Sequence, residues 1–237
     1  MNAAIIGATG LIGQQLLQKL IDSTAYNKIY MLGRRQARYQ PSSTTEVIFI
    51  ACHLDQLTTL SLPENIDQAF CCLGTTIKQA GSQDAFIAVD RTAVIDFVRL
   101  CQARANFIVT ALGANSQSST FYNRVKGETE AALESMLTSH LQANNTIAKL
   151  VFFQPSLLIG ERTERRPLES FGQTIFNLIS PLFIGPLKRY QPIAADKVAA
   201  AMLNRALGSR PRSNESKHQS INTAEPGVIR VNNEDML

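Results

Sequence analysis

Short apolar runs alternate with longer amphipathic stretches along most of this chain. The first run, residues 3–6, is followed by a loop punctuated by Gly7, Gly10 and Gly13 and then by a helical pattern over residues 14–21. Further apolar runs at residues 28–32, 46–51, 67–73, 105–110 and 148–153 read as strands. Residues 36–45 are polar, contain Pro41 and read as a loop, and residues 55–57 suggest a short helical segment. Over residues 84–103, Phe86, Val89, Ala93, Val94, Phe97, Val98 and Cys101 recur with a helical period. A long amphipathic helix is predicted over residues 121–141 and another over 194–206, buried through Val198, Ala199 and Met202. Residues 228–231 could add a last strand. Strand alternating with helix over six units predicts a single α/β domain spanning residues 1–237. Its doubly wound parallel sheet has strand order 3-2-1-4-5-6, right-handed crossovers and room for a seventh strand at the edge.

Composition narrows the class. A hydrophobic share of 45% supplies one substantial core, and 18% charged residues is too few for a disordered or coiled-coil chain. The net charge of +4 is modest, with no basic helix or long Lys/Arg run, so nucleic acid is not an expected partner. Cys52, Cys71, Cys72 and Cys101, with three histidines, make no metal-ligand spacing, and no metal is expected. Vicinal Cys71 and Cys72 should alternate across a strand. No apolar run reaches the ~20 residues of a membrane span. The first residues lack the basic-then-apolar pattern of a leader. A reduced cytoplasm is the expected compartment.

The chemistry begins at the glycine loop. Strand, G-x-x-G-x-x-G and helix follow in the order a Rossmann-type dinucleotide site requires. Gly7 permits the turn, Gly10 lets backbone amides approach a pyrophosphate, and Gly13 allows helix and strand to pack closely. The helix N-terminus then receives the phosphates, with Thr9, Leu11 and Ile12 completing the loop. At the end of the second strand, Gly33 is followed by Arg34 and Arg35 instead of an acidic residue, which favours a 2′-phosphate over a ribose hydroxyl. Leu73, Gly74 and Thr75 stand at the fourth strand's carboxyl end, where small residues let a cofactor cross the sheet edge. Tyr122 and Lys126, four apart at the start of a helix, project on one face. An ammonium near a phenol favours the phenolate, which suits Tyr122 to acid/base work on a carbonyl or alcohol. Lys126 could also hold a nicotinamide ribose, and the Thr110 hydroxyl, at the end of the fifth strand, could polarise a substrate carbonyl.

Together these segments resemble the short-chain dehydrogenase/reductase superfamily, and more narrowly its atypical NADP-binding branch of Tat-interacting-protein-like reductases. The resemblance is carried by residues 7–13, 32–35, 70–76, 89–91, 111–114, 122–128 and 154–166, distributed over residues 1–208. It implies NADP(H) as cofactor, held by Gly7 to Gly13, Arg34, Arg35, Leu73, Gly74, Thr75, Tyr122, Lys126, Pro155 and Ser156. It implies Tyr122 as acid/base, Lys126 as its partner, and Thr110 where a serine is usual. Four departures stand out: Thr110 itself, Asp90 where many related reductases carry asparagine, Gln154 where arginine often precedes Pro155, and His53-Leu54 where an acidic residue often meets the adenine. By the same resemblance, residues 156–190 and the C-terminal segment flank the substrate. Within them Arg162 or Arg165 of the 161–166 loop, which otherwise reads as a solvated loop, could meet an anionic substrate. By its helical spacing the apolar stripe over 169–184 reads first as core, and could also form a lid or a subunit contact. The expected function is NADP(H)-dependent interconversion of a carbonyl and an alcohol on a small molecule that the sequence does not name. A homodimer or a protein partner is compatible with it. The competing expectation is an NADP(H)-sensing binding module with little turnover. A nucleotide-sugar or quinone-type activity shares the same fold.

Overall fold

The computed structural model describes residues 1–143, 147–159, 189–208 and 227–237. Its centre is a seven-stranded sheet in the order β3-β2-β1-β4-β5-β6-β9, in which every neighbouring pair is parallel. The strands are β1 (Asn2–Ile6), β2 (Lys28–Gly33), β3 (Glu46–Ala51), β4 (Gln68–Cys71), β5 (Ala105–Val109), β6 (Lys149–Gln154) and β9 (Gly227–Asn232). The expected strand order and the expected seventh edge strand are therefore both present. A second, two-stranded sheet pairs β7 (Leu158–Ile159) with β8 (Ile193–Ala194).

Because side chains alternate along a strand, each strand feeds two cores. Ala3, Ile5, Phe70, Phe107, Val151 and Phe153 point to one face. There Leu16, Leu17 and Leu20 of α1 (Leu11–Asp22) and Val198 and Met202 of α6 (Ala195–Ala206) cover them. Ala4, Ile6, Cys71, Ile108 and Phe152 point the other way. Val94 and Phe97 of α4 (Ala93–Cys101) and Leu133 and Leu137 of α5 (Phe121–Gln142) close that side. Each large aliphatic group so buried contributes about 1.5–3 kcal/mol. Cys71 packs into the second core and Cys72 against the first, the alternation expected of the pair, and all four cysteines are free thiols.

The helical period over residues 84–103 resolves into three pieces. After the short α2 (Ile77–Ala80) come α3 (Gln83–Ile87), a π-helical turn over Ala88–Thr92, and α4. The apolar spacing did not reveal the wide turn. Strand β4 is also shorter than the apolar run suggested, because the chain leaves the sheet after Cys71 to form the loop of Leu73 and Gly74. The carboxyl ends of β1 and β4 lie side by side, with Ile6 opposite Cys71, at the point where strand order reverses. The 161–166 loop, the 169–184 stripe and most of the 156–190 substrate flank lie outside the described residues. Among the described residues no helix is long and apolar enough to cross a membrane.

Candidate functional site

The site is assembled at the carboxyl edge of β1, β4 and β5. Gly7 leaves β1 with φ of +80°, a conformation open mainly to glycine, and a Cβ there would lie 2.6 Å from the Cys72 carbonyl. Gly13 is tighter still, since its Cβ would sit 2.1 Å from the Gly7 oxygen. The loop is closed by Gly10 N donating to Gly7 O at 3.0 Å. No side chain caps the first turn of α1, whose N-cap is Gly10, so the amides of Leu11, Ile12 and Gly13 lack intrahelical acceptors. Thr9 and Gly10 are exposed at the tip. These features match what a bound pyrophosphate requires: a backbone cradle, free amides and the positive end of a helix.

Arg34 and Arg35 follow β2 at the same edge. Both are exposed, and neither has a carboxylate partner among the described residues. On the other side of the glycine loop, the Gly7 cradle abuts Leu73, and the next residue, Gly74, opens onto the α5 groups. A Cβ on Gly74 would stand 4.0 Å from Lys126 Nζ and 3.8 Å from Asp90 Oδ1.

Tyr122 lies in the first turn of α5, exposed, with its ring 5.6 Å from that of buried Phe86. Lys126, one turn on, is almost wholly buried and forms an ion pair with Asp90 at 2.7 Å. Burial alone would depress the Lys126 ammonium, but Asp90 and Tyr122 outweigh it and hold the group above its ordinary value. The helix can lie this close to the β5 loop because Gly127 has no side chain; a Cβ there would meet the Asn115 carbonyl carbon at 2.2 Å.

Thr110 requires a correction. Its hydroxyl turns inward and donates to Glu130 Oε1 at 2.7 Å, and the residue is 4% exposed. Glu130 is the hub of a buried cluster. Gln154 Nε2 donates to both its oxygens, at 2.9 and 3.2 Å, and Arg230 Nε donates to Oε2 at 3.0 Å. Gln154, the departure before Pro155, is thus a structural donor linking β6 to α5. Pro155 is buried, and its carbonyl accepts from Leu112 N. Ser156 is engaged with Asn233 and Gln191. His53 caps a 3-10 turn over Leu54–Gln56 at the end of β3.

Two members of the constellation escaped the sequence reading. Asp90 was visible only as an unusual residue, and Phe86 only as a core position. Their shared four-residue spacing was the available signal. A cavity of about 330 Å³ opens at the opposite edge of the sheet, between the amino ends of β4, β5 and β6, and touches none of these groups.

No family model matches the chain. Among curated proteins, the HTATIP2 protein of Rattus norvegicus is 31% identical over 176 residues, covering 73% of this chain and 69% of its own length. The chain belongs to that family, the atypical short-chain dehydrogenase/reductases. The FMP52 protein of Eremothecium gossypii is 29% identical over 236 residues, covering 95% of each chain, and its name places it in mitochondria. Other fungal relatives carry the same designation. This overturns the expected cytoplasmic location. Among solved structures, MoeE5 in complex with UDP-glucose and NAD shares the fold of this family member at a TM-score of 0.62 and 13% identity, covering 98% of this chain and 76% of that one.

Proposed function

We propose that the protein is an NADP(H)-dependent oxidoreductase that interconverts a carbonyl and an alcohol on a small molecule. The observation that carries this reading is the continuity of the site. The Gly7 cradle abuts Leu73, Gly74 opens onto Lys126 Nζ, and Lys126 lies within electrostatic reach of Tyr122. A dinucleotide with its pyrophosphate on Gly7 to Gly13 would run along that line, and Leu73, Gly74 and Thr75 would border its nicotinamide end. The NAD bound by MoeE5 supports a nicotinamide nucleotide as the ligand class. Arg34 and Arg35, with no carboxylate partner among the described residues at the β2 end, favour the 2′-phosphorylated form, since a guanidinium gives phosphate oxygens two parallel charge-assisted bonds.

A bound reduced nicotinamide supplies hydride. The chain's own residues supply the proton and the positioning. The Tyr122 phenol donates its proton to the oxygen of a reduced carbonyl, and the Lys126 ammonium stabilises the phenolate that remains. In the oxidative direction the phenolate takes the proton back.

One observation favours a second reading, an NADP(H)-sensing module with little turnover. The hydroxyl that would polarise a carbonyl is spent on Glu130. A Tyr122→Phe variant tests both readings. Under the enzyme reading it keeps NADPH affinity and loses at least 100-fold in NADPH oxidation across a carbonyl panel, on the order expected for a removed acid/base group. Wild-type protein that binds NADPH tightly yet oxidises it no faster than Tyr122→Phe would establish the sensing module instead.

A further inference from the structure

Two residues of one helical segment meet two residues of another in matching register. Phe86 and Asp90 are four apart, as are Tyr122 and Lys126. Phe86 lies against Tyr122 with ring centroids 5.6 Å apart, and Asp90 lies against Lys126 at 2.7 Å. The second contact falls in the π-helical turn Ala88–Thr92, a wider turn of the kind found inside helices at functional sites. The turn is held to α5 by Thr129 Oγ1, which donates to the Asp90 carbonyl at 3.1 Å, and at its outer rim by Arg91 paired with Glu128 at 2.9 Å.

The Asp90 carboxylate has divided work. Oδ1 meets the Lys126 ammonium, while Oδ2 accepts the backbone N–H of Thr75 at 2.9 Å. Both side chains of the pair are at most 3% exposed. A neutral amide at position 90 could still accept from Thr75 and fill the same space, but it would leave a buried ammonium with no counter-charge. The charged or titratable groups around the pair are few. Tyr122 on α5 and Cys71 on β4 complete it, and both act on Lys126 in the same sense as Asp90. Glu130, a turn beyond Lys126, is committed to Thr110, Gln154 and Arg230.

We infer that Asp90 is a positioning residue for proton transfer: it anchors the Lys126 ammonium beside Tyr122 and ties that pair to the Gly74–Thr75 loop. The inference rests on the proposed assignment of Tyr122 and Lys126 as the acid/base pair, but its test does not depend on turnover. Direct pairing makes Lys126 a permanently charged group over the working range. Neutralising Asp90 exposes Lys126 to the effect of burial, and the ammonium then loses its proton at lower pH.

The experiment compares wild type, Asp90→Asn and, as a resonance control, Lys126→Met. Lysine Cε chemical shifts are followed from pH 6 to 11, NADPH affinity over the same range, and folding by thermal melting. In wild type, Lys126 should keep its proton through pH 10 and NADPH affinity should vary less than about twofold between pH 7 and 9. In Asp90→Asn, the Lys126 titration should fall by at least one pH unit, and the loss of NADPH affinity on raising the pH should set in at least one pH unit lower than in wild type. Coincident Lys126 titrations in wild type and Asp90→Asn overturn the inference. If Asp90→Asn does not fold, the wild-type titration decides alone, and loss of the Lys126 proton below pH 10 overturns it. If wild type binds no NADPH, the nucleotide reading fails separately, and the lysine titrations still judge Asp90.

Discussion

Replacing Thr110 by valine separates a structural hydroxyl from a catalytic one. Valine keeps the shape of threonine and removes one donor. The lost bond is the 2.7 Å contact to Glu130, a carboxylate buried to 3% exposure. Hydrogen bonds to charged groups contribute about 1.5–3 kcal/mol. Glu130 retains two donors, Gln154 and Arg230, so the lower half of that range applies. At roughly 2–4 °C per kcal/mol for a chain of this size, the expected fall in Tm is about 3–9 °C. Calorimetry measures it, and urea titration gives the matching shift in midpoint. Turnover should change by less than about tenfold, or 1.4 kcal/mol, because the hydroxyl is committed to Glu130. A double-mutant cycle with Glu130→Gln should return a coupling of at least about 0.5 kcal/mol. A substrate-polarising hydroxyl would give the reverse pattern. A rate loss of about 100-fold or more, the size seen when an oxyanion donor is removed, with Tm unchanged, would refute the structural assignment.

Three further outcomes are expected. Replacing Arg34 and Arg35 together by serine should weaken NADPH binding by roughly 10- to 100-fold, the worth of one to two charge-assisted bonds, and leave NADH binding unchanged; isothermal titration with both nucleotides measures it. Gly13→Ala places a Cβ 2.1 Å from the Gly7 oxygen, so α1 must move off β1. It should cost at least about 1–3 kcal/mol of stability and abolish nucleotide binding, read by urea unfolding and fluorescence. Burial raises the Cys71 thiol to about 12 and pushes Cys72 and Cys101 well up as well. Their protonated forms therefore favour the folded state below the ordinary thiol range. That contribution is lost as pH rises, by roughly 1.4 kcal/mol per pH unit for each thiol. For Cys71 the decline should run from about pH 9 to about 12, and Cys71→Ala should remove its share of the slope in urea titrations across that window.

Much of this protein was legible in its sequence because the relevant signals are local. Each apolar run is a strand that must be covered on both faces, so the runs alone gave the order of elements and the class of sheet. The glycine loop reported a backbone need, met in the fold by positive φ at Gly7 and backbone contact at Gly13. Tyr122 and Lys126 share a face by helix geometry alone. What the sequence could not decide is which partners meet across elements. Thr110 was expected beside Tyr122 because it ends β5, but the packing of α5 brought Glu130 to it, and Gln154 and Arg230 with it. Asp90 read as a departure from the asparagine of related reductases, and its pairing with Lys126 emerged only where the π turn packs on α5 and a buried ammonium needs a counter-charge. The π turn that presents Asp90 left the apolar period unchanged. Local propensity and periodicity fix where an element lies, whereas the partner of a buried polar group is set by which elements the core brings into contact.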